Sequence, residues 1–223
     1  MKQHRILKVF VTMAMILFSC IYGYSYVMGN GAGGSYGTGS GNGTTAGICG
    51  QFNDIEYYIM LAGGYYLDAN SQVQQLLKTI EWQDIQGVDY PKLKTQVDSA
   101  LFNLNTAAYI TDILIDTAKS TPYNDASLTL LKNFSYDSLA KEYALDGCIF
   151  ASVRQYLQGG DITGVFQYTR KQYDGMIRLL DAIKKDTDNY RLPDLAPVRH
   201  LNEAMAQAST FGSYVARVFS AIR

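Results

Sequence analysis

The residue types that could bind a metal are few in this chain. His200 is the only histidine after the first four residues, and the four glutamates are Glu56, Glu81, Glu142 and Glu203. A di-iron site in a helical bundle takes a glutamate from each of two helices and a Glu-x-x-His pair from each of two more. His200 and Glu203 have that spacing in reversed order, and one pair cannot fill such a site. We therefore expect no metal or other cofactor, and a partly exposed His200 near the start of a helix.

Catalytic motifs are also scarce. The chain contains no Cys-x-x-Cys-His haem-attachment motif, and nothing marks partners for His200 in a Ser-His-Asp triad. Sixteen aspartates leave open the paired carboxylates of a glycoside hydrolase. Asp112 and Asp116, four residues apart, are expected to lie on one solvated helix face. The sequence thus favours a protein that is not an enzyme. The alternative is an envelope enzyme or a redox or metal protein whose site combines scattered Asp and Tyr side chains with His200.

Tyrosine is the unusual component, with 18 Tyr against a single Trp. Two tyrosine pairs, Tyr57-Tyr58 and Tyr65-Tyr66, flank the glycine pair Gly63-Gly64. Tyrosine buries a large ring while its hydroxyl stays at a wet edge, so packing at the boundary of the core explains these residues. Aromatic residues are also enriched at the centres of interfaces, and the glycine pair would leave a notch or permit a close helix crossing. These six residues are the candidate binding groove.

The N-terminus has the pattern of an export signal. Residues 1–8 are basic, residues 9–18 are uncharged and apolar, and Leu17-Phe18-Ser19-Cys20 follows at once. This tetrapeptide resembles the lipobox of bacterial lipoprotein precursors. The resemblance implies a signal peptide at 1–19, lipid attachment at Cys20, and anchoring in the cell envelope, at the outer membrane if the cell is Gram-negative. Two alternatives stay open: the uncharged run 9–28 as a transmembrane anchor, or cleavage and secretion.

The other two cysteines, Cys49 and Cys148, can pair if Cys20 carries lipid. An exported protein reaches a compartment where disulfides persist. The bridge would close a loop of about 100 residues and could add roughly 4–5 kcal/mol of stability by the chain-entropy model. Two buried free thiols are the alternative.

Residues 20–50 carry no charge, and 11 of these 31 residues are glycine. Such a composition is typical of a flexible linker, with a reach on the order of 30 Å. The spacing Gly29-x-Gly31-x-x-Gly34 matches a dinucleotide-binding fingerprint only formally, because more glycine stands where a strand and a helix are required. We therefore interpret 20–50 as a tether.

A net charge of −1 without a basic run gives no electrostatic footprint for nucleic acid.

The elements that would position these residues are helices. Apolar residues recur every three or four positions from about Phe52 to Gln83, and again from Pro91 to Lys119. Shorter helical pieces are expected within 123–157, a long helix begins after Asp161, and a last helix begins near Pro193 and Pro197. No segment alternates strictly between apolar and polar residues. The prediction for 51–223 is therefore all-α: an antiparallel four-helix-type bundle with short extra helices between the second and third long helices. A solenoid of helical pairs is second choice.

Together these patterns predict a lipid-tethered helical domain of the cell envelope. The membrane is its first partner, through the N-terminal anchor. We expect the helical domain to bind a protein partner or a small ligand, or to serve a structural role in a surface assembly.

Overall fold

The computed structural model describes residues 53–143 and 147–221. Seven α-helices and no strand occur in these two ranges, which confirms the all-α prediction for them. The helices are α1 (Asn53–Gln86), α2 (Tyr90–Ser120), α3 (Asp125–Lys132), α4 (Tyr136–Tyr143), α5 (Gly147–Gly159), α6 (Ile162–Asp188) and α7 (Leu195–Ala221). The predicted signal peptide (1–19), the predicted tether (20–50), Cys20, Cys49 and the side chain of Cys148 lie outside what the structure describes. Among the described helices, none is both long and apolar enough to cross a membrane.

Polar side chains cap three of these helices at their N-termini. The carboxylate of Asp161 accepts a hydrogen bond from the backbone N–H of Gly164 at 2.8 Å, as predicted for the start of α6. Asp89 caps α2 in the same way through the N–H of Lys92, and Asn124 caps α3 through the N–H of Ser127. Each cap satisfies a backbone donor that has no partner within its own helix.

Buried apolar side chains form two clusters, and each of the four long helices contributes to both. The proximal core contains Ile55, Leu114, Ile115, Ala118, Leu131, Tyr136, Leu157, Ile162, Val165, Phe166, Phe211, Tyr214, Val215, Val218 and Phe219. The distal core contains Tyr66, Ala69, Val73, Leu76, Ile80, Leu93, Val97, Ala100, Leu101, Leu104, Ala107, Ala108, Tyr173, Met176, Leu180, Ile183, Val198, Leu201 and Met205. The short helices α3, α4 and α5 supply residues to the proximal core only.

The long helices touch one another in a cycle of pairs. Helix α1 packs on α2 and α7, α2 packs also on α6, and α6 packs also on α7. Helix α5 lies against α3, α6 and α7, and α4 contacts α7. The three short helices therefore cover the end of the domain that holds the proximal core, and the opposite end is left to two loops.

Candidate functional site

The six residues of the predicted groove occupy different environments on α1. Tyr57 is 58% exposed, whereas Tyr66 is only 4% exposed. Tyr58 packs partly buried against the proximal core, and Tyr65 packs partly buried against the distal core. Gly64 is exposed and Gly63 is half-buried. The structure therefore places Tyr66 in the core and not on an open surface, while a groove at Tyr57, Gly63 and Gly64 stays a prediction.

The glycine pair does not bring two helices close together, which corrects one expectation. Helix α1 continues through Gly63 and Gly64 without interruption. A Cβ atom added at either glycine would meet nothing within 4 Å. A close crossing would place a neighbouring helix against these positions, so the described residues provide no such crossing.

Tyr66 instead joins three helices inside the distal core. Its ring stacks on Tyr173 of α6, with ring centroids 5.2 Å apart and an interplanar angle of 17°. Its hydroxyl donates a hydrogen bond of 2.5 Å to the backbone carbonyl of Met205 on α7. Burial raises the pKa of Tyr66, with a smaller contribution from Tyr173, and burial also raises the pKa of Tyr173. Both phenols are thus held neutral, and their role is packing and helix alignment.

The candidate metal and carboxylate residues are dispersed. His200 is exposed on α7, near the start of the helix as expected. The guanidinium Nε of Arg170 donates to Asp112 at 3.0 Å, while Asp116 pairs with Lys119 at 3.3 Å. The two carboxylates are solvated as expected, and each pairs with a different basic residue. Within the described part of the chain, no three His, Cys, Asp or Glu side chains are grouped to hold a metal ion.

Helices α2 and α6 share a network of four charged residues. Lys94 pairs with Asp188 and Lys184 pairs with Asp98 across the two helices, and each lysine also lies within 4 Å of the aspartate on its own helix. The hydrogen bond from Lys94 lowers the pKa of Asp188, and the hydrogen bond with Asp98 raises the pKa of Lys184. The four charges cancel, so this network leaves no net charge for a ligand.

An open cavity of about 420 Å³ lies at the end of the domain opposite the short helices. We call this end, formed by the loops 87–89 and 189–194, the distal end. The cavity is lined by Ile80, Glu81, Leu192, Pro193, Asp194, Leu195 and Arg199. Arg199 donates to the same oxygen of Glu81 through Nε at 3.2 Å and through Nη2 at 2.8 Å. Asp194 forms no hydrogen bond or ion pair with any residue that the structure describes, and it is exposed.

Large apolar side chains are exposed around the same end. Trp82 is 68% exposed in the last turns of α1, and Tyr190 is 75% exposed in the loop before α7. Val88 and Leu192, also exposed, lie in the two loops. Tyr190 has φ of +53°, a conformation that a bulky residue adopts only when its surroundings enforce it. Its ring meets the ring of Tyr90 edge to face, with centroids 5.7 Å apart.

Sequence patterns did not single out this end as a site. The cavity combines residues more than 100 positions apart, and periodicity places each of them only on its own helix or loop. Two signals were available: the lone Trp82, and the prolines Pro193 and Pro197 that bracket the start of the last helix. No protein-family model, curated protein or solved structure matches this chain.

Proposed function

We propose that this chain is an exported, lipid-tethered helical domain of the bacterial cell envelope that acts by binding a protein partner. One observation carries the binding role: four of the exposed large apolar side chains, Trp82, Val88, Tyr190 and Leu192, lie at the distal end. Single exposed apolar residues are ordinary on a protein surface, but a group at one end marks a site of interaction. Tryptophan and tyrosine are the residue types that most often dominate binding energy at protein interfaces.

We also propose that the four long helices form an antiparallel bundle. The order of core residues supports this arrangement. Along α1 and α6 the proximal core comes first, and along α2 and α7 the distal core comes first. Successive long helices would then run in opposite directions. The three-residue connection between α1 and α2 is short enough for antiparallel neighbours.

The proposed tether enters this arrangement at the first residue of α1. Helix α1 has 34 residues and therefore spans about 51 Å at 1.5 Å per residue. The tether would join at Asn53, next to the proximal core, while Trp82 lies in the last turns of the same helix. Trp82 therefore lies almost the full length of α1 away from the residue at which the described domain begins.

The export and anchoring proposal is tested by the intact mass of the mature protein from its native host, with the membrane fraction included. We expect a chain of residues 20–223 that carries a diacylglyceryl group, less two hydrogens if Cys49 and Cys148 pair. The Cys20→Ser variant should lose the lipid mass, while Ser25→Ala should keep it. A chain that begins at Met1, or an unmodified soluble chain, would refute lipid anchoring.

The binding proposal is tested by photo-crosslinking in cells. We would place the photoreactive amino acid p-benzoylphenylalanine at Trp82 or Tyr190, and at Tyr109 as the control, because Tyr109 is similarly exposed but lies mid-way along α2. We expect one discrete protein adduct, identified by mass spectrometry, from the two distal positions and not from Tyr109. Adducts of equal yield at all three positions would contradict a distal binding site.

A coloured or metal-loaded purified protein would favour the alternative of an enzyme or redox protein.

A further inference from the structure

We propose that the distal cavity receives a lysine side chain of the protein partner. This inference rests on the proposed binding function and names the chemistry that the site would recognise.

The charge of the lining favours a cation. Glu81 and Asp194 contribute two negative charges and Arg199 contributes one positive charge, so the cavity carries a net charge of −1. Arg199 directs both of its described hydrogen bonds to one oxygen of Glu81. Asp194 is left as the carboxylate without a partner among the described residues. One monovalent cation would neutralise the site.

The remaining lining suits a long aliphatic stem. Leu192 and Leu195 offer accessible apolar surface in the same lining as the three charged residues, while Ile80 and Pro193 are themselves buried. Lysine characteristically lays its methylene stem along apolar surface while its ammonium group seeks an acceptor. A volume of about 420 Å³ lies within the usual range for ligand sites, of roughly 300–1,000 Å³. The ammonium group of a lysine needs a single acceptor, and the carboxylate of Asp194 supplies one without displacing Arg199 from Glu81.

The test is an NMR titration of the full-length chain in detergent with three matched probes. They are N-acetyl-lysine methylamide, its ε-acetylated form, and N-acetyl-norleucine methylamide, which keeps an apolar stem but has no charge. We expect the lysine probe to shift the backbone amide signals of residues 192, 194, 195 and 199, and to do so at lower concentration than the two uncharged probes. Equal responses to all three probes, or no response at those amides up to tens of millimolar, would overturn the proposal.

Two cavity variants should act in opposite directions. Asp194→Asn should lower the affinity for the lysine probe roughly two- to fivefold, the amount expected for a solvent-exposed ion pair. Arg199→Gln should raise this affinity by a similar factor, because Glu81 becomes free and the cavity charge becomes −2. The control is Asp68→Asn, which removes one negative charge, as Asp194→Asn does, but at an exposed position on α1 that lies 13 residues before Glu81. If Asp68→Asn weakens binding as much as Asp194→Asn does, long-range charge and not the cavity attracts the probe.

These outcomes are separable from the proposed function. If crosslinks form at Trp82 but the lysine probe does not bind, the partner uses the distal end without this side-chain recognition, and only the further inference fails. If the probe binds but no crosslink forms at Trp82 or Tyr190, the cavity chemistry holds and the proposed protein partner is refuted.

Discussion

The ring of Tyr66 lies nearly parallel to the ring of Tyr173, with centroids 5.2 Å apart, although 107 positions separate the two residues in the chain. The hydroxyl of the same Tyr66 donates to the carbonyl of Met205. One side chain of α1 thus contacts both α6 and α7, and it does so inside the distal core. The cavity lies at the end of these same helices, so the alignment of its walls depends on contacts of this kind.

The hydrogen bond of Tyr66 should contribute measurably to stability. We expect Tyr66→Phe to lower the free energy of unfolding by about 0.5–1.5 kcal/mol, because the ring stack is retained and one buried hydrogen bond is lost. Tyr66→Ala should cost about 3–5 kcal/mol, since it also leaves a cavity. Urea denaturation followed by circular dichroism measures both. The matched control is Tyr57→Phe at an exposed position, and a loss as large as that of Tyr66→Phe would contradict a specific role for the buried hydroxyl.

Alkaline pH should destabilise the domain through its buried tyrosines. Burial raises the pKa values of Tyr66 and Tyr173 above the ordinary value of 10.0, and it raises the pKa of Tyr123 to about 12. Above pH 10 the unfolded chain therefore loses phenol protons that the folded chain keeps, and the free energy of unfolding falls as pH rises. Each such tyrosine contributes a slope of up to about 1.4 kcal/mol per pH unit until the folded protein also ionises.

Urea midpoints at pH 8, 9, 10 and 11 would measure this effect. We expect little change between pH 8 and 9 and a decline above pH 10. The decline should be shallower in a Tyr66→Phe, Tyr173→Phe double variant. The same steepness in the double variant would show that other groups control alkaline unfolding.

The glycines should respond to alanine in opposite ways. Gly63 and Gly64 lie inside a helix where an added Cβ meets open space, so each Gly→Ala change should stabilise the protein by about 0.4–1 kcal/mol. At Gly164 the added Cβ would lie 2.6 Å from Cδ1 of Tyr156 and would also clash with the capping carboxylate of Asp161. Gly164→Ala should therefore destabilise it. Thermal melts of the three variants check the signs, and a lower melting temperature for Gly64→Ala would show that α1 needs its glycines for packing.

Arg170 should matter more than an ordinary surface charge. Its side chain is 27% exposed, and it pairs with Asp112 on α2 and with Asp174 on its own helix. We expect Arg170→Gln to cost about 1 kcal/mol, because two half-exposed carboxylates lose their shared base. Lys119→Gln, which breaks the exposed pair with Asp116, is the control and should change stability by less than about 0.5 kcal/mol. The difference should shrink in 1 M NaCl, where charges are screened. Equal effects of the two variants would contradict the bridging role of Arg170.

The helices themselves were largely predictable from local patterns. The predicted end of the first long helix near Gln83 compares with Gln86 in the structure, and the predicted cap Asp161 does accept the hydrogen bond of Gly164. The reason is that apolar periodicity and capping depend on residues within a few positions of one another. The same local reasoning treated Tyr57, Tyr58, Tyr65 and Tyr66 as one group. Apolar periodicity does include Tyr66 and not Tyr57, but it could not show what covers Tyr66, because that depends on where α6 and α7 pack.

The sequence by itself determined that the described ranges 53–143 and 147–221 are built from helices without strands, that Asp161 caps one of them, and that His200 has few possible ligand partners nearby in the chain. Only the tertiary structure decided that Tyr66 would stack on Tyr173, that Asp112 would share Arg170 with Asp174, and that Glu81, Asp194 and Arg199 would line one cavity. The physical reason is the range of the interactions. Helix formation is governed by neighbours in sequence, whereas a cavity of mixed charge arises from side chains that meet only when distant helices pack.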